Sequence, residues 1–218
     1  MLPGYFPAHL ECEYDVVGFC VDDDYKTTDT FLGKPVVSAS SVKSHYAVNE
    51  HKMFVAVGYH DLNELRKNKC NEVKEMGYDL VSVVPASANL PKNVSYGVNC
   101  FIMPPAIIHP CVTIGDNVFV WNGAMIGHHS AIGDHCWLTS SCSIGGNVEM
   151  GERCFLAMEA TVSHSVKIGN ECFLGANSLV TKHMDDMQVI IAEADKPIRL
   201  NSKQFLKMSS FSSTSAGE

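Results

Sequence analysis

The chain has 218 residues, of which 46% are hydrophobic, and it carries a formal net charge of −8 at pH 7. It is long enough for a sizeable core and for two domains. No cluster of Lys and Arg offsets the acidic residues, which argues against nucleic acid as a partner. The first residues lack a signal-peptide pattern and no apolar run is long enough to span a membrane, so we expect a cytoplasmic protein with no membrane partner.

Residues 15–84 alternate short apolar runs with helical patterns, which predicts a small α/β domain. The predicted elements, in chain order, are a strand at 15–21, a helix at 40–46, a strand at 53–58, a helix at 61–76 and a strand at 80–84. The expected buried face of the second helix consists of Leu62, Leu65, Val73 and Met76, with Gly77 ending the helix.

Polar and small residues follow the predicted strands. Asp22 and Asp23 come directly after the first strand, and Gly58 ends the second. Ligands of α/β sheets bind beyond the carboxyl ends of strands, so these residues are candidates for a binding site. A solvated acidic turn without a ligand is the alternative interpretation.

The second half of the chain has an aliphatic residue at every sixth position without a slip of phase. A period of six is neither that of a helix nor that of a strand, so it predicts a parallel β-helix of short strands joined by regular corners. The repeating positions are Ile102, Ile108, Ile114, Val120, Ile126, Ile132, Leu138, Ile144, Met150, Leu156, Val162, Ile168, Leu174 and Val180.

Three hexads form one triangular coil, so residues eighteen apart stack on adjacent coils about 4.8 Å apart. Cysteines at such intervals are expected to form one interior column and to behave as small buried hydrophobic residues. They are Cys100, Cys136, Cys154 and Cys172. The sequence contains no C-x-x-C pair, so no metal site is expected, and buried thiols indicate a reducing compartment.

The two patterns divide the chain into three parts. Residues 1–88 are expected to form the α/β domain and residues 89–185 the β-helix. Residues 186–218 are a C-terminal segment that ends in a Ser-rich tail from Met208 onwards, which is expected to be mobile.

An α/β domain followed by an unbroken hexapeptide solenoid resembles the sugar N- and O-acyltransferases of the left-handed β-helix superfamily. The most specific part of the resemblance is the segment WNGAMIGHHSAIGD, residues 121–134. The resemblance implies that His128 is the catalytic base and that the backbone N–H of Gly146, one coil further, holds the acetyl carbonyl. His129 stands where many relatives carry Asp or Glu to orient the catalytic ring, and Asp134 would replace that carboxylate only if the fold brought it close.

The same resemblance implies acetyl-CoA as the co-substrate and a homotrimer in which coenzyme A lies between neighbouring β-helices. The implied coenzyme contacts are Gly146, Met158, Gly175, Ala176 and Lys182. The implied contacts with a nucleotide-linked amino sugar are Asp22, Asp23, Gly58, Asn63, Arg66 and Trp137, the last with an indole expected to point outward and to be exposed. Relatives open with a strand and a glycine-rich turn that this chain does not show, so we expect a shortened Rossmann-like domain.

Three other functions stay open at this stage. A sugar O-acetyltransferase of the sialic-acid type would use the same machinery on a hydroxyl. A zinc hydratase of the γ-carbonic-anhydrase type needs three histidines spaced thirty-six and then five residues apart; His128 and His164 satisfy the first interval, but Gly169 occupies the third position. A scaffold that has lost its substrate site would need no intact His128.

Overall fold

The structure is a computed structural model that describes residues 14–194 and 196–208. The expected mobile tail lies almost entirely outside these residues. None of the helices in the described ranges is long and apolar enough to cross a membrane. The fold class is as predicted: an α/β region followed by a parallel β-helix.

The α/β region contains two small sheets. The first has the order β1-β3-β2, with β1 parallel to β3 and β2 antiparallel to it; its strands are β1 (Phe19–Val21), β2 (Thr30–Phe31) and β3 (Lys34–Ser38). The second is a parallel pair, β4 (Lys52–Met53) and β5 (Asp79–Leu80). The α-helices of this region are α1 (Val42–His45) and α2 (Glu64–Glu75), and three 3-10 turns accompany them.

The predicted strand at 53–58 is shorter than expected because a side chain of the β-helix takes the place of a strand partner. The side-chain amide of Asn99 accepts a hydrogen bond from the backbone N–H of Val55 at 2.7 Å and donates to its carbonyl at 3.3 Å. The backbone of Val55 is therefore satisfied by the neighbouring domain. Sequence periodicity does not detect a contact of this kind.

The buried face of α2 also differs from the prediction. Leu65 is exposed, whereas Arg66 and Cys70 are buried. Arg66 and Cys70 are four residues apart and therefore lie on one helix face. A charged side chain is expected in a core only where it has hydrogen-bond or ionic partners, and the pattern of the helix does not reveal such partners for Arg66.

The β-helix consists of two-residue strands that form three faces of parallel strands, and from β6 to β20 they recur every six residues. The strands are β6 (Ser95–Tyr96), β7 (Phe101–Ile102), β8 (Ile107–Ile108), β9 (Thr113–Ile114), β10 (Phe119–Val120), β11 (Met125–Ile126), β12 (Ala131–Ile132), β13 (Trp137–Leu138), β14 (Ser143–Ile144), β15 (Glu149–Met150), β16 (Phe155–Leu156), β17 (Thr161–Val162), β18 (Lys167–Ile168), β19 (Phe173–Leu174), β20 (Leu179–Val180) and β21 (Val189–Ile190). A short terminal helix, α3 (Ser202–Met208), follows.

Each face is a sheet whose neighbouring strands come from adjacent coils. The aromatic face has the order β21-β19-β16-β13-β10-β7, the second face β20-β17-β14-β11-β8 and the third face β18-β15-β12-β9-β6. All fourteen aliphatic residues of the repeat are buried, as predicted. The predicted cysteine column is confirmed as well, since Cys100, Cys136, Cys154 and Cys172 are fully buried free thiols. Burial raises the pKa of the Cys100 thiol to about 11, so this thiol stays protonated and inert.

The aromatic face carries a column of rings that the α/β region covers. Its members are Phe101, Phe119, Trp137, Phe155 and Phe173. Trp137 stacks on Phe119 with ring centroids 5.0 Å apart and contacts Tyr59 of the α/β region at 5.3 Å. The expectation that its indole is exposed is wrong: the residue is 5% exposed. It does point out of the coil, but the α/β domain packs over it.

Candidate active site

One corner of the β-helix brings together four of the residues that the sequence analysis named. This corner follows the second face and precedes the third, and residues eighteen apart occupy equivalent positions in successive coils. We call this column the histidine corner; it consists of Pro110, His128, Gly146, His164 and Lys182. Both of its histidines are exposed to solvent.

The imidazole of His128 lies directly against Gly146 of the next coil. A Cβ atom added to Gly146 would be 2.8 Å from both Nε2 and Cε1 of the ring, which is closer than real Cβ atoms approach. Glycine at this position therefore leaves the room that the imidazole occupies. Within the described residues, neither Nε2 of His128 nor the backbone N–H of Gly146 has a hydrogen-bond partner, so a proton acceptor and a hydrogen-bond donor adjoin the same exposed point.

The other ring nitrogen of His128 is held by His129. The two Nδ1 atoms are 3.1 Å apart, and the rings are nearly perpendicular. His129 reaches this position from a left-handed backbone conformation with φ of 59°, and its backbone N–H donates to the carbonyl of Pro110 at 3.2 Å. One of the two Nδ1 atoms must carry the shared proton, so this contact couples the tautomers of the two rings.

Asp134 does not replace the carboxylate that relatives place beside the catalytic histidine. Its Oδ1 atom accepts a hydrogen bond from the backbone N–H of Asp116 at 2.7 Å. This contact lies at the corner between the third face and the aromatic face, one hexad beyond His128. The structure thus uses Asp134 to tie two coils together.

His164 is the second imidazole at the histidine corner. Its ring centroid is 6.2 Å from that of His128, although the two residues are two coils apart, so the two rings approach each other across the coil that contains Gly146. Its Nε2 atom is 3.5 Å from Nδ2 of Asn147, whose backbone N–H donates to the carbonyl of His128 at 2.9 Å. The sequence places His164 in this column but does not predict how closely the two rings approach.

The candidate coenzyme contacts lie on two different corners. Lys182 is exposed at the histidine corner, two coils beyond Gly146. Met158 and Ala176 are exposed at equivalent positions of the corner that follows the aromatic face. Gly175 is buried beside them, and a Cβ there would be 3.1 Å from the carbonyl oxygen of Ile190. Close packing against the backbone of Ile190 therefore explains a glycine at this position.

Asp22 and Asp23 are found at the carboxyl end of β1, as expected. Asp22 forms an ion pair with Lys69 of α2 at 2.9 Å. Asp23 accepts a hydrogen bond from the backbone N–H of Ser40, at the end of the neighbouring parallel strand, at 3.1 Å. Hydrogen bonding from Ser40 lowers the pKa of the Asp23 carboxyl, which therefore stays charged. Gly58 faces open space, with nothing within 4 Å of an added Cβ.

The structure places Arg66 and Asn63 in the interior and not on a solvent-facing substrate surface. Both are completely buried. The guanidinium of Arg66 lies 4.4 Å from the ring centroid of Phe119, and it donates to Oδ1 of Asn117 at 2.9 Å and to Oδ1 of Asn63 at 3.0 Å. Burial lowers the pKa of Arg66 to about 10, so it remains charged. These contacts join the α/β region to the β-helix and replace the predicted contact with substrate.

Two functional features were missed from the sequence. The first is the covered aromatic column, whose signal is an aromatic residue before every third aliphatic of the repeat, from Phe101 to Phe173. The second is the pairing of the His128 and His129 rings, which depends on the left-handed conformation of His129. Within the described residues, no three His, Cys, Asp or Glu side chains are arranged to hold a metal ion.

Comparisons with known proteins agree with this description. The model of the bacterial transferase hexapeptide family (six repeats) matches residues 97–128. Among curated proteins, none matches the chain. PerB from Caulobacter crescentus, solved in complex with CoA and GDP-perosamine, is 28% identical, with a TM-score of 0.76 over 85% of this chain and 86% of that one.

Two further solved structures share the fold. The acetyltransferase domain of PglB from Neisseria gonorrhoeae, in complex with acetyl coenzyme A, is 20% identical, with a TM-score of 0.74 over 88% of this chain and 90% of that one. WeeI from Acinetobacter baumannii is 18% identical, with a TM-score of 0.57 over 80% and 82% of the two chains. The predicted resemblance to the left-handed β-helix sugar acetyltransferases is therefore confirmed. The hexapeptide repeat, the fold and the enzyme class, that of the acyltransferases, all agree with it.

Proposed function

We propose that this protein transfers the acetyl group of acetyl-CoA to the amino group of a nucleotide-linked amino sugar, with His128 as the general base. The observation that carries the proposal is the placement of the Nε2 edge of His128 against Gly146, where neither Nε2 nor the N–H of Gly146 has a hydrogen-bond partner among residues 14–194 and 196–208. The similarity to PerB, whose structure contains CoA and GDP-perosamine, supports the choice of both substrates.

The geometry suits acyl transfer to an amine. The amine nitrogen forms a bond to the thioester carbon while Nε2 of His128 takes its proton. The N–H of Gly146 donates to the carbonyl oxygen, which becomes the oxyanion of the tetrahedral intermediate. The carbon–sulfur bond then breaks, the electron pair stays on sulfur, and His128 returns the proton to form the free thiol. An imidazole suits both steps because its ordinary pKa near 6.5 leaves it largely neutral at pH 7.

His129 is the positioning residue in this proposal. A base that acts through Nε2 must carry its own hydrogen on Nδ1, and that hydrogen needs an acceptor. Nδ1 of His129, at 3.1 Å, is the acceptor that the structure offers. A neutral imidazole orients the ring as a carboxylate does, but it adds no negative charge next to it.

The coenzyme is proposed to bind between neighbouring copies of the chain in a homotrimer. Lys182 belongs to the histidine corner, whereas Met158 and Ala176 belong to another corner of the same coil system. A trimer would bring one chain's histidine corner next to the other corner of its neighbour, so that both groups face one coenzyme. Light scattering should then report about three times 23.8 kDa.

The acceptor is proposed to approach from the α/β region. The carboxyl ends of the parallel strands β1 and β3 meet at one edge, where Asp22, Asp23 and Ser40 lie together. Carboxylates and hydroxyls at such an edge suit the hydrogen-bond donors of a nucleobase or ribose. Gly58 is open to a ligand at the end of the neighbouring segment.

The central test measures release of the CoA thiol with acetyl-CoA and a panel of guanosine-, uridine- and thymidine-diphosphate amino sugars. His128→Ala should fold normally, because the residue is exposed, and should lose about 10²- to 10⁴-fold in turnover. Matching hydroxy sugars in the same panel separate N-acetylation from O-acetylation. A His128→Ala variant that keeps its activity would exclude the proposed base.

A further inference from the structure

The acyl-transfer chemistry proposed above leaves His164 without a role, although its imidazole lies at the reacting corner. It is the only other histidine in the column of His128, and the two ring centroids are 6.2 Å apart. The backbone of Gly146 runs between the two residues, and its carbonyl accepts a hydrogen bond from the backbone N–H of Ser165 at 2.9 Å. Gly146 therefore lies in the coil between two residues whose imidazole rings approach each other.

The two imidazoles are held differently. Nδ1 of His128 faces His129, which leaves Nε2 as its free nitrogen. In His164 the arrangement is reversed, because Nε2 is the atom that faces the side-chain amide of Asn147. An Nε2 that accepts from this amide places the hydrogen of the neutral ring on Nδ1. Within the described residues, Nδ1 of His164 has no partner, so it is a free donor where Nε2 of His128 is a free acceptor.

The two rings also lie on opposite sides of Gly146 along the solenoid axis. His128 is on the side of the earlier coils, and His164 is on the side of the later coils, which carry Lys182 and the other candidate coenzyme contacts. A thioester whose carbonyl oxygen binds the N–H of Gly146 has its sulfur within a few ångströms of that oxygen. In the binding mode proposed above the coenzyme lies along the later coils, so its sulfur faces His164.

We propose that His164 is a second catalytic residue, which donates a hydrogen bond from Nδ1 to the sulfur of coenzyme A as the thiolate leaves. The assignment rests on the proposed acetyl-CoA chemistry. The carbon–sulfur bond breaks with its electron pair on sulfur, and the N–H of His164 stabilises the developing negative charge. The proton that His128 took from the amine then moves to the sulfur, so His164 keeps its own proton throughout and needs no further reactant.

A change of leaving group separates this role from a structural one. Acetyl-CoA releases coenzyme A as an alkyl thiolate, which needs stabilisation. S-acetyl thionitrobenzoate releases an aryl thiolate, which is far less basic. His164→Ala should lower kcat/KM with acetyl-CoA by about 10- to 100-fold. With the aryl thioester the same variant should stay within about threefold of the unmodified enzyme. His164→Asn, which keeps an N–H donor near the position of Nδ1, should recover most of the activity with acetyl-CoA.

Two control variants define the outcomes. His128→Ala should lose activity with both donors, because both need the base. His109→Ala changes an exposed histidine at the start of the same corner and should change neither activity. An equal loss with both donors in His164→Ala, or full activity with acetyl-CoA, would overturn the role of His164. Absence of acetyl transfer by the unmodified enzyme to any amino sugar would instead refute the proposed function.

Discussion

The imidazole of His128 packs against the α-carbon of Gly146, so that a methyl group at Gly146 would lie 2.8 Å from Nε2. The two residues are eighteen positions apart and meet because three hexads complete one coil. The contact joins an imidazole to a backbone N–H donor without any loop between them. Rigid β-helix coils therefore fix the distance on which the proposed chemistry depends.

Gly146→Ala should lower turnover with little loss of stability. The added methyl group displaces the exposed imidazole of His128 and not the backbone, so the melting temperature should hardly change. A displacement of about 1 Å at a catalytic group costs up to about 10²-fold in rate. In the His128→Ala background the same substitution should cost nothing further, because the ring is absent. A further loss in that double variant would mean that the methyl group blocks substrate directly.

His129 should contribute to turnover through its Nδ1 atom, which accepts the hydrogen of Nδ1 of His128 in the proposed mechanism. His129→Ala removes the partner of Nδ1 and should lower kcat by roughly 3- to 30-fold, less than loss of the base itself. His129→Glu restores an acceptor with a negative charge, which favours the protonated form of the neighbouring imidazole. The glutamate variant should therefore keep its activity at high pH, while the acid limb of its pH–rate profile moves to higher pH. An unshifted acid limb would contradict contact between the two side chains during turnover.

The fold was largely predictable because the hexad period is a geometric constraint. The period predicts a coil of three hexads. Such a coil places residues eighteen apart next to each other, which predicts the cysteine column and the alignment of His128, Gly146 and His164. The packing of the α/β region on the β-helix was not predictable, because no local sequence pattern indicates which face of the β-helix the α/β region covers. The resemblance implied Trp137 and Arg66 as substrate contacts, but in the structure the guanidinium carbon of Arg66 lies 4.9 Å from the ring centroid of Trp137 within the domain contact.

The domain contact should weaken in acid. Burial lowers the pKa of His135 to about 4, and its Nδ1 atom lies 2.9 Å from the side-chain amide of Asn117. An unfolded histidine titrates near 6.5, so between about pH 6.5 and 4 the unfolded chain binds a proton that the folded chain does not. The contribution of His135 to stability should fall as the pH is lowered through this range and should level off below it.

Thermal unfolding of the unmodified protein and of His135→Gln measures this effect. The unmodified protein should lose on the order of 2 kcal/mol more free energy of unfolding than the variant between pH 7 and pH 4. His60→Gln, at an exposed position of the α/β region, is the matched control and should follow the unmodified protein. Parallel curves for the unmodified protein and His135→Gln would show that His135 is not the titrating group.

The acidic edge of the α/β region is the remaining part of the proposed site to test. Asp22→Asn and Asp23→Asn together remove both carboxylates while keeping side-chain size. If this edge holds the nucleotide, the double variant should raise KM for the acceptor by about tenfold or more and leave KM for acetyl-CoA unchanged. Because Asp22 pairs with Lys69 and Asp23 binds Ser40, the melting temperature must be measured alongside. Unchanged KM values in a stably folded double variant, with free amino sugars used as well as nucleotide-linked ones, would exclude a nucleotide site at this edge.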